Sequence, residues 1–125
     1  MHARKFVLML VFLWFAVGGV GHFLAPDFFL KIIPPALPYR LEAVYISGFF
    51  ELLGAAALPI AALRRSAGIG LIALTVAVTP ANIYMWANAG LFPAVPDVLL
   101  ALRLVLQIAL LAAIWWSTQR TAGAR

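Results

Sequence analysis

The chain has 125 residues, 66% of them hydrophobic and 10% charged, with a net charge of +5 and a mean hydropathy of +1.05. Soluble domains carry about 45–50% apolar and about 25% charged residues, so this composition excludes an ordinary water-soluble globule and predicts an all-α integral membrane bundle. The chain has no cysteine, which excludes thiol–disulfide chemistry of its own and thiolate-held zinc or iron–sulfur clusters.

A helix needs about 20 mostly apolar residues to cross the ~30 Å hydrocarbon layer. Four such stretches fill the sequence as a single transmembrane domain. The first span covers about 6–24, behind Arg4 and Lys5. A basic start and an apolar core also mark signal peptides, but the run is long for one and Gly18-Gly19-Val20-Gly21-His22 offers no A-x-A cleavage site. The segment 26–35 is too short to span and is bracketed by Pro26 and by Pro34-Pro35. Its apolar residues Phe28, Phe29, Ile32 and Ile33 recur at helical spacing, which predicts an interfacial segment acting as an anchor or as a lid.

The second span is expected over 41–63, ending at Arg64-Arg65, and the third over 68–89, kinked at Pro80 where the carbonyl of Val76 loses its partner. An apolar connection over 90–96 should graze the membrane surface. The fourth span covers 97–116, closes on Trp115-Trp116 at the aromatic belt, and leaves a polar, frayed tail from Ser117. Arg4, Lys5, Arg64, Arg65, Arg120 and Arg125 then fall on one side. The positive-inside bias makes that side cytoplasmic and predicts an N-in/C-in four-helix bundle. Basic residues at helix ends meet anionic lipid, a distribution that argues against nucleic-acid binding.

The informative residues are those that hydrocarbon disfavours. A charge near the bilayer centre costs at least ~2.5–3.5 kcal/mol, so such side chains turn inward and find partners. Glu51 lies near the midplane on a stripe of small residues, Ser47, Gly48, Gly54 and Ala55, which permits close helix approach. Arg103 and Gln107 share a face one turn apart in the last span. Depth counted along the helices brings Gln107 level with Glu51 and puts Arg103 within reach of it, so a Glu51–Arg103 ion pair is expected. Asn82 shares its face with Thr75, Thr79 and Trp86. With His22 near the outer end of the first span, these residues outline a polar pocket opening to the external side.

Each of these groups has a plainer reading beside the functional one. Glu51 and Arg103 can be an ion pair that only fixes register, Asn82 and Gln107 interhelical glue, and His22 an interfacial residue. With His2 and His22 as its only histidines, the chain cannot build a bis-His haem site in the membrane, and no clustered metal ligands or phosphate-binding loop are present.

The same residues carry a family resemblance. Gly21-His22-Phe23 followed by Pro26, Ser47-Gly48-Phe49-Phe50-Glu51-Leu52-Leu53-Gly54, Pro80-Ala81-Asn82-Ile83-Tyr84-Met85 and Leu102-Arg103-Leu104-Val105-Leu106-Gln107 together resemble DoxX-like membrane proteins. The resemblance implies a four-helix bundle of the bacterial inner membrane and a link to membrane redox systems. It makes His22, Glu51, Asn82, Arg103 and Gln107 the candidate ligand-binding residues. One expected function is an accessory subunit of a redox-enzyme partner that binds a quinone or similar apolar molecule with a polar head. A second is a non-enzymatic assembly factor for another membrane protein. A third, a small exporter, is disfavoured because the first span has no acid and Glu51 has an arginine to pair with.

Overall fold

A computed structural model of the chain describes residues 2–33, 35–88, 90, 93 and 96–119. They form five helices: α1 (His2–Leu24), α2 (Pro26–Ile32), α3 (Arg40–Ala57), α4 (Ala61–Ala87) and α5 (Asp97–Gln119). The four long helices stand in a ring in the order α1, α3, α4, α5, each antiparallel to its neighbours, with α1 against α3 and α4 against α5 as the most extensive pairs. Short connections between successive helices impose this up-and-down arrangement.

Three helices, His2–Leu24, Ala61–Ala87 and Val98–Gln119, are long and apolar enough to cross a membrane. α3 is not among them: it has 18 residues and carries Arg40, Glu42 and Glu51. Large apolar side chains cover the outside of the bundle, with Val17 and Ile108 each 70% exposed. A water-soluble fold would hide them, whereas a lipid-facing surface has no reason to.

The boundaries differ from the sequence expectation at one connection in particular. The second long helix was expected to run to Leu63, but it ends at Ala57 and α4 begins at Ala61, which places Arg64 and Arg65 in the first turns of α4. Pro59 lies in the break and brings no N–H with which to continue the helix. Arg64 then donates from Nε to the carbonyl of Leu58, at 2.7 Å, and from Nη2 to that of Pro59, at 3.2 Å. It thereby satisfies carbonyls that the break leaves open. Pro80 remains inside a continuous α4.

The expected frayed tail is also different. α5 continues through Gln119, and Ser117, Thr118 and Gln119 are buried. Gln119 Nε2 donates to the carbonyl of Arg65 at 2.7 Å, and Arg4 lies over the Trp116 ring at 5.9 Å. These contacts bring the start of α1, the start of α4 and the end of α5 to one end of the bundle. Arg120 and Arg125 fall outside the described residues, as does most of the 90–96 connection.

Two apolar clusters frame the interior. The larger joins Val11 and Phe15 of α1, Ala55 and Leu58, Leu71 of α4 and Ile114 of α5. The smaller, at the opposite end, sets Met85 and Leu100 against Phe29 and Ala81. Across that end lies α2, the expected interfacial segment, with Pro26 at its start where a missing N–H costs nothing. It packs on α3, α1 and α4. Arg40, the first residue of α3, holds it down by donating to the carbonyls of Leu30, at 2.5 Å, and Ile33, at 3.1 Å.

Candidate functional site

Between the two apolar clusters the bundle forms a cavity of about 920 Å³, open along one flank. All five candidate residues line it: His22 from α1, Glu51 from α3, Asn82 from α4, and Arg103 and Gln107 from α5. The polar groups divide into two sets on different walls, and each set exists because of a local feature of its helix.

The first set is His22 with Glu51. Their meeting depends on how closely α1 and α3 approach. A Cβ built on Gly19 would lie 3.1 Å from the carbonyl oxygen of Gly48, and one on Gly48 would lie 3.2 Å from that of Gly19. With no side chains between them the backbones touch, as small-residue stripes allow. Gly18 clears space for the acid, since a Cβ there would sit 2.8 Å from Glu51 Oε1. Across this seam His22 Nε2 lies 3.4 Å from Glu51 Oε2. The other ring nitrogen, Nδ1, is 2.7 Å from the carbonyl oxygen of Gly18. A carbonyl only accepts, so Nδ1 carries a proton and donates it. One face of the imidazole is covered by Phe29 of α2, with ring centroids 3.9 Å apart and planes 18° from parallel.

The second set is a directed chain of hydrogen bonds across α4 and α5. Arg103 Nη2 donates to Asn82 Oδ1 at 3.2 Å. Asn82 Nδ2 donates to Gln107 Oε1, and Gln107 Nε2 donates to Thr79 Oγ1. Thr79 in turn donates to the carbonyl of Thr75 at 3.0 Å. Turning either amide over would set donor against donor, so the chain fixes both amides and, through them, one arm of the guanidinium. The other arm, Nη1, lies 3.2 Å from Met85 Sδ, a weak acceptor.

The structure therefore brings the five candidates to one cavity but pairs them differently from expectation. The expected Glu51–Arg103 ion pair is not made: Glu51 meets His22, Arg103 meets Asn82 and Met85, and His22–Glu51 is the sole ion-pair contact within 4 Å among the described residues. Counting depth along each helix misled here because it does not say which helices are neighbours: α3 packs closely on α1 and stands diagonal to α5 in the ring. The close Gly19–Gly48 approach brings His22 within reach of Glu51, while Arg103 lies across the cavity. Asn82 and Gln107 do act as interhelical hydrogen-bonding groups.

Two further features of the cavity were not legible beforehand. At the end expected to stand open, Phe29, Ile33 and Leu37 form part of the wall. Leu13, Trp14 and Val17 of α1 also line the cavity although they are 46%, 53% and 70% exposed, so it opens sideways along that flank. Among the described residues no group of three or more His, Cys, Asp or Glu is placed to hold a metal ion.

No curated protein and no solved structure matches the chain. A family model matches residues 11–118, a stretch containing every candidate site residue, and the chain belongs to that family, whose description is "Domain of unknown function (DUF8561)".

Proposed function

We propose that the protein is a four-span, N-in/C-in membrane protein that holds a membrane-dissolved molecule with an apolar tail and an oxygen-bearing polar head. A quinone is the first candidate, with the protein serving as accessory subunit to a membrane redox enzyme. The observation that carries this reading is the cavity itself, a space of about 920 Å³ at the upper end of the ~300–1,000 Å³ range of small-molecule pockets. Its walls are mostly aliphatic and aromatic, and its polar groups converge from four helices. Its open apolar flank admits a molecule dissolved in the surrounding hydrocarbon. The link to redox chemistry rests on the motif resemblance to DoxX-like proteins, and with no cysteine in the chain any thiol step belongs to a partner.

Counting α3 as a span rests on where its charges sit. Arg40 and Glu42 belong to its first turn, at the end covered by α2, which leaves Glu51 as the one charged side chain deeper in the helix. Because the chain has no cysteine, single-cysteine variants report topology without background. An impermeant maleimide applied to right-side-out vesicles is expected to label Leu37→Cys and to leave Ser66→Cys unlabelled until the vesicles are opened. The reverse pattern would overturn the N-in/C-in orientation.

The ligand reading is tested by mass spectrometry of apolar molecules that stay with the protein through mild-detergent purification. A quinone or a defined lipid should be enriched with wild type and lost from a folded Arg103→Leu variant. If wild type carries nothing beyond bulk lipid, the cavity is not a ligand site.

A further inference from the structure

We infer that the head group bound in the cavity is an oxyanion, a carboxylate or phosphate on an apolar tail, and that Arg103 is its counter-ion. The inference rests on the reading of the cavity as a ligand site and narrows the class of molecule it takes. It follows from the partners that the structure gives Arg103.

The chain has four acidic residues, Asp27, Glu42, Glu51 and Asp97, against nine Lys and Arg. A guanidinium keeps its proton in a protein, so Arg103 brings a full positive charge to the cavity wall. Its hydrogen-bond partners, Asn82 and Met85, are both neutral. Among the described residues no carboxylate lies within 4 Å of it, and Glu51 is the one acid that lines the same cavity.

Glu51 does not pair with Arg103. Its carboxyl is turned to the α1 wall of the cavity, where Oε2 lies 3.4 Å from His22 Nε2. Arg103 is left with neutral partners alone, in surroundings where isolated charge is costly. An anionic oxygen supplied by a ligand completes it. Such a pairing can be bidentate, which a guanidinium favours over any neutral partner.

Two other observations define the rest of the molecule. Ser47 Oγ, one turn from Glu51 on the cavity wall, is buried with no hydrogen-bond partner, so it offers a donor to a second head-group oxygen. The flank formed by Leu13, Trp14 and Val17 is apolar and opens outward from the cavity, which gives a tail a path into the surrounding hydrocarbon. The amphiphile reaches the site from within the membrane, and its head is drawn to Arg103.

The experiment compares three probes of matched chain length on the full-length protein in lipid nanodiscs: a long-chain fatty acid, the corresponding alcohol and the corresponding alkyl phosphate. A neutral long-tailed quinone is run beside them. Wild type is expected to hold one of the two acids about ten- to a hundredfold more tightly than the alcohol, the range set by a charge-assisted hydrogen bond to a half-buried guanidinium. Arg103→Gln should reduce that preference to near unity, and Arg103→Lys should retain part of it. Which acid binds more tightly identifies the head as carboxylate or phosphate.

Equal binding of acid and alcohol by wild type, or tighter binding of the quinone, would overturn the anionic head while leaving the ligand site standing. Failure of all four probes, with no apolar molecule co-purifying, would remove the site itself. The comparison among probes is made on wild type, so it does not depend on the Arg103 variants folding.

Discussion

Gly48→Leu is expected to cost the protein about 3 kcal/mol of stability and to abolish ligand retention. α1 and α3 touch through their backbones at this point. A Cβ on Gly48 would lie 2.6 Å from His22 Cβ, 3.0 Å from the Phe23 ring and 3.2 Å from the Gly19 carbonyl oxygen. Two of these neighbours cannot yield by a rotamer change, because one is backbone and the other is the first carbon of its side chain. The helices must separate. Overpacking in a close-packed interior costs about 1–3 kcal/mol even where neighbours can adjust, and the upper value suits a seam where they cannot. A thermal midpoint about 10 °C lower is the corresponding shift for a chain of this length. Separation would also draw His22 away from Glu51, whose contact already spans 3.4 Å. Thermal unfolding in detergent checks the first effect and mass spectrometry of co-purifying molecules the second. A variant that keeps the wild-type midpoint would mean that the seam is looser than its geometry implies.

The same seam marks the division between what the sequence made legible and what it did not. Long apolar runs give the positions of the long helices, because hydrocarbon thickness sets their length. Glu51 on its small-residue stripe pointed inward correctly, since inward is where a membrane helix sends an acid. Asn82, Arg103 and Gln107 were likewise expected to line one polar pocket, and α4 and α5 link Asn82 by hydrogen bonds to both Arg103 and Gln107.

Pairing across helices is a different matter, because it depends on which helices are neighbours and at what axial offset. Nothing in the run from Arg40 to Ala57 states that α3 packs on α1 and stands diagonal to α5, yet that arrangement gives Glu51 to His22 instead of Arg103. The glycines held the missing information: Gly18 and Gly19 on one helix and Gly48 on the other are the places where two backbones can touch. Matching them would have set the register. Pro59 was a second legible sign, for a helix drawn from Leu41 to Leu63 has to pass through it.

The consequence of that arrangement is chemical as well as geometric. Had Glu51 met Arg103, the two charges would have cancelled and the cavity would suit a neutral head group. With Glu51 beside His22 and Arg103 bonded to neutral partners, the arginine is available to the anionic head proposed above.

The opposite end of the bundle supplies the contrast that separates stability from binding. Gly68→Leu is expected to destabilise the fold about as much as Gly48→Leu, yet to leave ligand affinity in the folded protein within about twofold. Gly68 lies where α4 crosses the end of α5. A Cβ there would meet the Thr118 hydroxyl, and would lie 2.5 Å from Thr118 Cβ and 2.7 Å from Gln119 Nε2. Thr118 is fully buried and its hydroxyl donates to the carbonyl of Ile114 at 2.6 Å, so it has no free direction in which to move. Displacing Gln119 also breaks its bond to the Arg65 carbonyl, and the cost again falls near 3 kcal/mol on the scale of overpacking. None of Gly68, Thr118 and Gln119 lines the cavity, and the buried cluster of Val11, Phe15, Ala55, Leu58, Leu71 and Ile114 stands between this end and the polar layer. Sites separated in this way contribute independently. Titrating the fatty acid into both variants at a temperature where each is folded checks the contrast. Binding lost in Gly68→Leu as completely as in Gly48→Leu would show that the cavity depends on the whole bundle and not on the α1–α3 seam.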